Sequence, residues 1–324
     1  MKYRFARPCI ILLCFALMVF QSKASVHDDL TVARDMRDRG DFKEAIAALK
    51  RIVMAPSAST TPAEMAAAWN MLGSAYLATG SYSEARKSIE QALQIAKAAP
   101  ENLTEEAAAL DQLGLVYLEI DDNSSEFKVR DQALRVYEEL GDNAGIFAER
   151  NSQANLAIKT MKLKQAHEFL DEAFARVPLA RTISTGDMAI LYSNVGWLAY
   201  TENKPDAAFD AYQNALQFWI RAYGVHDYKV GETYIQLGKV YLQHSDVNDA
   251  DSNIRKGMAI LKQALGDTNP ITLSAMMAYS RLLDVQGRHE QAAQLEASAE
   301  RSLHGRFGTD PCTACDLYGR YPRS

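Results

Sequence analysis

The sequence predicts an all-α fold, a right-handed solenoid of about seven helix-turn-helix repeats, and three observations carry that prediction. Ala, Leu and Gln are abundant, while the Val/Ile/Thr runs that strands need are scarce. One stretch, residues 66–92, sets small side chains at Gly73, Ala85 and Ala92 against large ones at Trp69, Leu72, Tyr76, Tyr82 and Ile89, with Gly80 dividing two helical patterns. The same template then recurs along the chain at a period of about forty residues.

The chain opens on a different pattern. Lys2, Arg4 and Arg7 precede an apolar run over residues 9–20, which is short for a membrane span of about 20 residues. Ser22-Lys23-Ala24 follows with small residues where a signal peptidase reads, so residues 1–24 are expected to be a signal peptide cleaved after Ala24. Leu13 before Cys14 does not fit a lipoprotein signal. The mature chain is expected in the periplasm or secreted, without membrane insertion. Losing Lys2, Arg4, Arg7 and Lys23 takes the formal charge from −6 to about −10. An acidic chain is a poor phosphate-backbone binder, so nucleic acid is not an expected partner.

Residues 25–304 carry the repeats. The first copy places Ala33, Met36, Ala45, Leu49 and Ile52 on the template, and Asp41 with Glu44 three residues on reads as a capping box. After a linker, Thr61-Pro62-Ala63-Glu64 restarts a helix with cap, first-turn proline and reciprocal Glu. The second copy is residues 66–92. The third has Leu113, Gly114 and Tyr117, but Asp121-Asp122-Asn123-Ser124-Ser125 replaces the Gly-x-Tyr turn. There Glu126 and Arg130 stand where Ala and an apolar residue belong, which predicts a looser or shifted helix. The fourth copy runs through Ala154, Ala157, Leu163, Ala166, Leu170 and Ala173 to Pro178, with a loop over 179–186. The fifth has Tyr192, Gly196, Ala208 and Tyr212; the sixth Tyr234, Gly238, Ala250, Ile254 and Gly257; the seventh Tyr279, Ser280, Gly287, Ala292 and Ala299. Gly196, Gly238 and Ser280 are each forty-two residues apart.

Trp69, Leu72, Gly73, Tyr76, Ala85 and Ile89 resemble the W-x2-L-G-x2-Y…A-x3-F pattern of the tetratricopeptide repeat. Residues 264–270, Ala-Leu-Gly-Asp-Thr-Asn-Pro, and the weaker copy at 222–227 make the later repeats similar to the kinesin-light-chain type of that family. The resemblance implies antiparallel helix pairs that cross closely at Gly73, Gly114, Gly196 and Gly238, against Ala85, Ala208 and Ala250. It also implies that Phe209, Phe218, Trp219 and Tyr223 are packing residues rather than a cofactor box.

In that family the first helices line a concave face. Mapped onto this chain, the face holds Asn70, Ser74, Asp111, Gln112, Asn151 and Asn155, then Ser193, Asn194, Trp197 and Tyr200, then Gln236, Lys239 and Arg281. Amides offer both a donor and an acceptor, which suits the backbone of an extended peptide, and Trp197 and Tyr200 suit an apolar side chain. The set resembles the asparagine rows of peptide-binding members. A terminal-carboxylate clamp is not expected, because Asn151, Glu232 and Gln236 stand where Lys, Lys and Arg would be needed.

Catalytic signatures are missing from the sequence: it has no Gly-rich phosphate loop, HExxH or G-x-S-x-G. The histidines are scattered, and Asp121, Asp122 and Glu126 lack the frame of a calcium loop. No cofactor or metal is expected. Residues 305–324 read as an irregular tail with Cys312-Thr313-Ala314-Cys315. In an oxidising compartment Cys312 and Cys315 are expected to form a local disulfide. The expected function is a non-catalytic adaptor for a protein or peptide. The alternatives are a redox- or metal-linked envelope protein acting through the tail, and an oligomer-forming structural module.

Overall fold

A computed structural model describes residues 26–99 and 101–307. The expected signal peptide and the Cys312/Cys315 motif lie outside the described residues. Those described form fourteen α-helices and no strand. In sequence they make seven successive pairs. The first three pairs are α1 (Val26–Asp38) with α2 (Phe42–Met54), α3 (Pro62–Ala78) with α4 (Tyr82–Lys97), and α5 (Leu103–Glu119) with α6 (Asn123–Leu140). Then come α7 (Asn143–Lys159) with α8 (Leu163–Arg176), and α9 (Thr185–Thr201) with α10 (Pro205–Tyr223). The last are α11 (Tyr228–Gln243) with α12 (Val247–Leu265), and α13 (Pro270–Val285) with α14 (His289–Phe307). The last helix runs three residues past His304, where the sequence pattern ends, so Gly305 is tolerated near a helix end rather than breaking it.

The turn inside each pair has one backbone solution. Gly40, Gly80, Asp121, Met161, Asn203, Ser245 and Gly287 all sit in the left-handed region, with φ between 56° and 85°. Three repeats use glycine there, and four use a residue that pays for its Cβ. Between pairs, Gly224 and Gly266 share a second geometry, φ 86° with ψ 170° and φ 85° with ψ 165°. Each is followed three residues later by a cap, Asp227 accepting from Lys229 N–H at 2.8 Å and Asn269 from Ile271 N–H at 2.9 Å. The two linkers that look alike in sequence are therefore alike in structure.

Caps elsewhere follow the sequence with one exception. Thr61 and Glu64 form the capping box: Glu64 N–H donates to Thr61 Oγ1 at 3.2 Å, and Thr61 N–H to Glu64 Oε2 at 2.8 Å. Asp41 does not cap α2; its carboxylate lies 3.5 Å from Arg39 Nε instead. The expected loop over 179–186 lies two residues earlier, over 177–184: α8 ends at Arg176, and Ser184 and Asp187 make a second capping box that starts α9 at Thr185.

The chain forms two compact units, divided between Val116 and Tyr117. In the first, Leu30, Ala33, Leu49, Ala68 and Leu72 make one core. A Cβ on Gly73 would collide with Ile89 and lie 3.1 Å from Ala85 O, so α3 and α4 do cross at the predicted small residues. The second unit repeats the device. An added Cβ on Gly238 would collide with Ile254 and approach Ala250 O, and one on Gly196 would lie 2.8 Å from the ring of Tyr212 rather than against Ala208. A crossing not foreseen lies at Gly257, where an added Cβ would lie 2.6 Å from Gly231 O. Of the four aromatic residues assigned to packing, Phe209, Phe218 and Trp219 join one core. Tyr223 stacks on Trp219 with ring centroids 5.8 Å apart yet is largely exposed.

The third repeat corrects an expectation. Helix α6 is a regular helix of 18 residues, capped by Asp122, which accepts from Ser125 N–H at 3.0 Å. Its misplaced polar residues are paired. Arg130 donates from Nε to Glu126 at 3.0 Å and from Nη1 to Glu149 on α7 at 3.3 Å. The three residues are only 2–4% exposed. A buried charge is tolerable only when paired and hydrogen-bonded, so the cluster holds α6 in register instead of loosening it.

Candidate binding cleft of the second unit

Helices α7, α9 and α11 open three successive repeats of the second unit. Their facing residues are set by helical spacing: Asn151, Asn155 and Lys159 on α7, Ile190, Asn194 and Trp197 on α9, and Lys229, Glu232, Thr233 and Gln236 on α11.

An asparagine ladder joins the first two helices. Asn155 Nδ2 donates to Asn194 Oδ1 at 2.9 Å. Asn194 Nδ2 donates to Asn151 Oδ1 at 2.7 Å and to Asn151 O at 3.1 Å. Asn151 and Asn194 are buried, so their amides are spent on one another and fix the α7–α9 register.

Above the ladder lies a cleft of about 260 Å³. Asn155, Ser193, Asn194, Trp197 and Gln236, all foreseen, line it together. Ile190, Tyr212 and Trp219 add apolar wall, and Lys159, Lys229 and Glu232 add charge. Ile190, 42% exposed, presents apolar surface to the cleft. Ser193 donates its hydroxyl to Ala189 O at 2.8 Å, leaving its oxygen as an acceptor.

The charges are organised. Lys159 pairs with Asp121, the left-handed turn residue of the third repeat. Lys229 lies 3.3 Å from Glu232 and over the rings of Tyr228 and Trp219 at 4.8 and 5.9 Å. Burial works to lower the Lys229 pKa, but Glu232 and the Tyr228 hydroxyl outweigh it, and the ammonium is held above its usual value. The cleft thus joins an apolar floor to a rim of paired charges and amides. It can take an apolar side chain while bonding the polar backbone beside it.

The other foreseen residues lie elsewhere. Tyr200 packs against the core of α9 and α10, and its carbonyl accepts from Gln243 Nε2 at 3.3 Å. Lys239 and Arg281 do not line the cleft, and Arg281 is exposed. Asn70, Ser74, Asp111 and Gln112 belong to the first unit, where all four are half-buried. Lys159, Ile190 and Lys229 were missed. The signal for two of them was present: Lys159 stands four residues after Asn155, and Ile190 four before Asn194.

Residues 64–139 match a family model described as tetratricopeptide repeat. This stretch is made of tetratricopeptide repeats. No curated protein matches the chain. Among solved structures it is similar to BtubC (BKLC) from P. vanneervenii, at 20% identity and a TM-score of 0.56 over 76% of this chain and 93% of that one. It is also similar to a Rap protein complexed with Competence and Sporulation Factor, at 14% identity and a TM-score of 0.66 over 96% and 85%. NprR in complex with its cognate peptide NprX gives 14% identity and a TM-score of 0.62 over 95% and 92%. These likenesses show the tetratricopeptide-type solenoid fold.

Proposed function

We propose that this chain is an exported, non-catalytic scaffold whose second-unit cleft holds an extended segment of a partner protein. The observation that carries the reading is the cleft itself: Trp197 and exposed Ile190 beside Asn155, Ser193 and Gln236 on three parallel first helices. An extended peptide presents the matching alternation of apolar side chain and backbone amide. Two structures of the same fold were solved with a bound factor or peptide, which supports the reading by analogy. We also propose that the later repeats are of the kinesin-light-chain type, which the likeness of their linkers at Gly224 and Gly266 supports. Export rests on residues 1–24, and N-terminal sequencing of the protein from its native host should return Ser25 as the first residue.

The test is selection from a random peptide display library on the full chain. Enriched peptides should share an apolar residue at one position. Failure to enrich any sequence over a bare support refutes the reading.

A further inference from the structure

A second hollow lies in the second unit, away from the cleft, where α6, α7 and α8 meet. It exists because the third repeat departs from the template. Two residues after the left-handed turn position, four other repeats place Phe42, Tyr82, Leu163 or Val247 and two place Pro205 and His289; this one places Asn123. The missing bulk leaves a cavity of about 330 Å³. Phe127, Leu156 and Ala157 form an apolar side, and Lys128, Gln153 and Lys162 a polar one.

Asn123 Oδ1 is a buried acceptor without a partner on the same lining, but three independent features set donors on the polar side. Gln153 is 1% exposed, and its Oε1 accepts from Arg150 Nη1 at 2.9 Å. A guanidinium only donates, so this bond fixes the amide orientation and turns the NH2 group the other way, where it donates to no described protein atom. Helix α8, of 14 residues, starts after Lys162 with no side-chain cap and no acidic residue in its first turn. Its first N–H groups are left for an acceptor from outside the helix. Lys128 and Lys162 make no ion pair within 4 Å among the described residues; Asp122, which feels the charge of Lys128, is hydrogen-bonded to Ser125.

We propose that this cavity binds a small oxyanion, a phosphate or a carboxylate on a compact carbon skeleton. Lys128, Lys162, the Gln153 amide and the α8 N-terminus supply the donors, and Phe127 and Leu156 take the skeleton. The site is separate from the peptide cleft and does not depend on it.

Calorimetric titration of the full chain with inorganic phosphate and, separately, with succinate tests the proposal. Saturable one-to-one binding of at least one probe is expected. It should weaken at least tenfold in Lys128→Gln/Lys162→Gln and stay unchanged in Lys164→Gln, a fully solvated lysine on the same turn. Phosphate alone or succinate alone would name the source of the oxyanion. No saturable heat with either probe up to about 20 mM, or equal binding by the double variant, overturns the proposal.

Discussion

Replacing Arg130 with Met removes the guanidinium that pairs two carboxylates on different helices. Glu126 and Glu149 are 2% and 3% exposed, so neither can recover its hydration without opening the α6–α7 interface. Arg130 bonds them at 3.0 and 3.3 Å, and Glu126 Oε2 is already buried without a partner. Breaking a buried pair from one side costs about 3–5 kcal/mol, since the Glu126 carboxylate stays buried and uncompensated. In a repeat array that loss falls on one interface and its neighbours. Urea unfolding followed by circular dichroism at 222 nm should show a lower midpoint by that amount divided by the slope. The triple variant Glu126→Met/Arg130→Met/Glu149→Met keeps the volume and removes every charge, and should recover most of the loss. A single variant within about 1 kcal/mol of wild type, or a triple variant as unstable as the single, would refute the assignment of α6 register to this cluster.

Other substitutions test the repeat geometry. Gly238→Val drives a branched side chain into Ile254 and Ala250 O and should cost about 1–3 kcal/mol or more in the same unfolding assay. Met161→Gly should raise the melting temperature. The left-handed turn at φ 57° costs a side-chain-bearing residue about 1–2 kcal/mol, against about 0.5–1 kcal/mol of extra unfolded-state freedom for glycine. Acid should weaken two caps. The Thr61 backbone N–H, then its hydroxyl, hold Glu64 below its usual 4.5, and the Ser125 hydroxyl, then its backbone N–H, hold Asp122 below 3.8. Both folded pKa values lie below the unfolded ones, so this stability is present above the unfolded values and is lost as pH falls through the folded ones. The fall in urea midpoint from about pH 5 to about pH 3 should be shallower in Glu64→Gln/Asp122→Asn.

The fold was legible because packing constrains a few positions in every repeat. Gly73 and Gly238, far apart in the chain, are small for the same reason, and the template exposes them. The third repeat was misread because Glu126 and Arg130 looked like defects when considered singly; only the α6–α7 register brings Glu149 to them. Asp41 was read as a cap because local sequence does not show that Arg39 competes for its carboxylate. Part of the cleft was visible in helical spacing, through Asn155, Asn194, Trp197 and Gln236. Its charges were not. Lys159 reaches Asp121, 38 residues back, and a long flexible side chain chooses its partner only after the helices have docked. The asparagines had a further use that composition hides: Asn151 and Asn194 bond each other before they can meet a ligand.

The affinity of a library-selected peptide for Trp197→Ala, set against wild type, tests the central claim most directly. Trp197 forms cleft wall, is only partly buried and also packs against the core of α7, α8 and α9, so circular dichroism of the variant accompanies the binding measurement. An aromatic anchor at the centre of an interface is worth about 2 kcal/mol or more, so the Kd should rise about thirtyfold. An unchanged Kd would place the peptide elsewhere on the molecule and contradict the account.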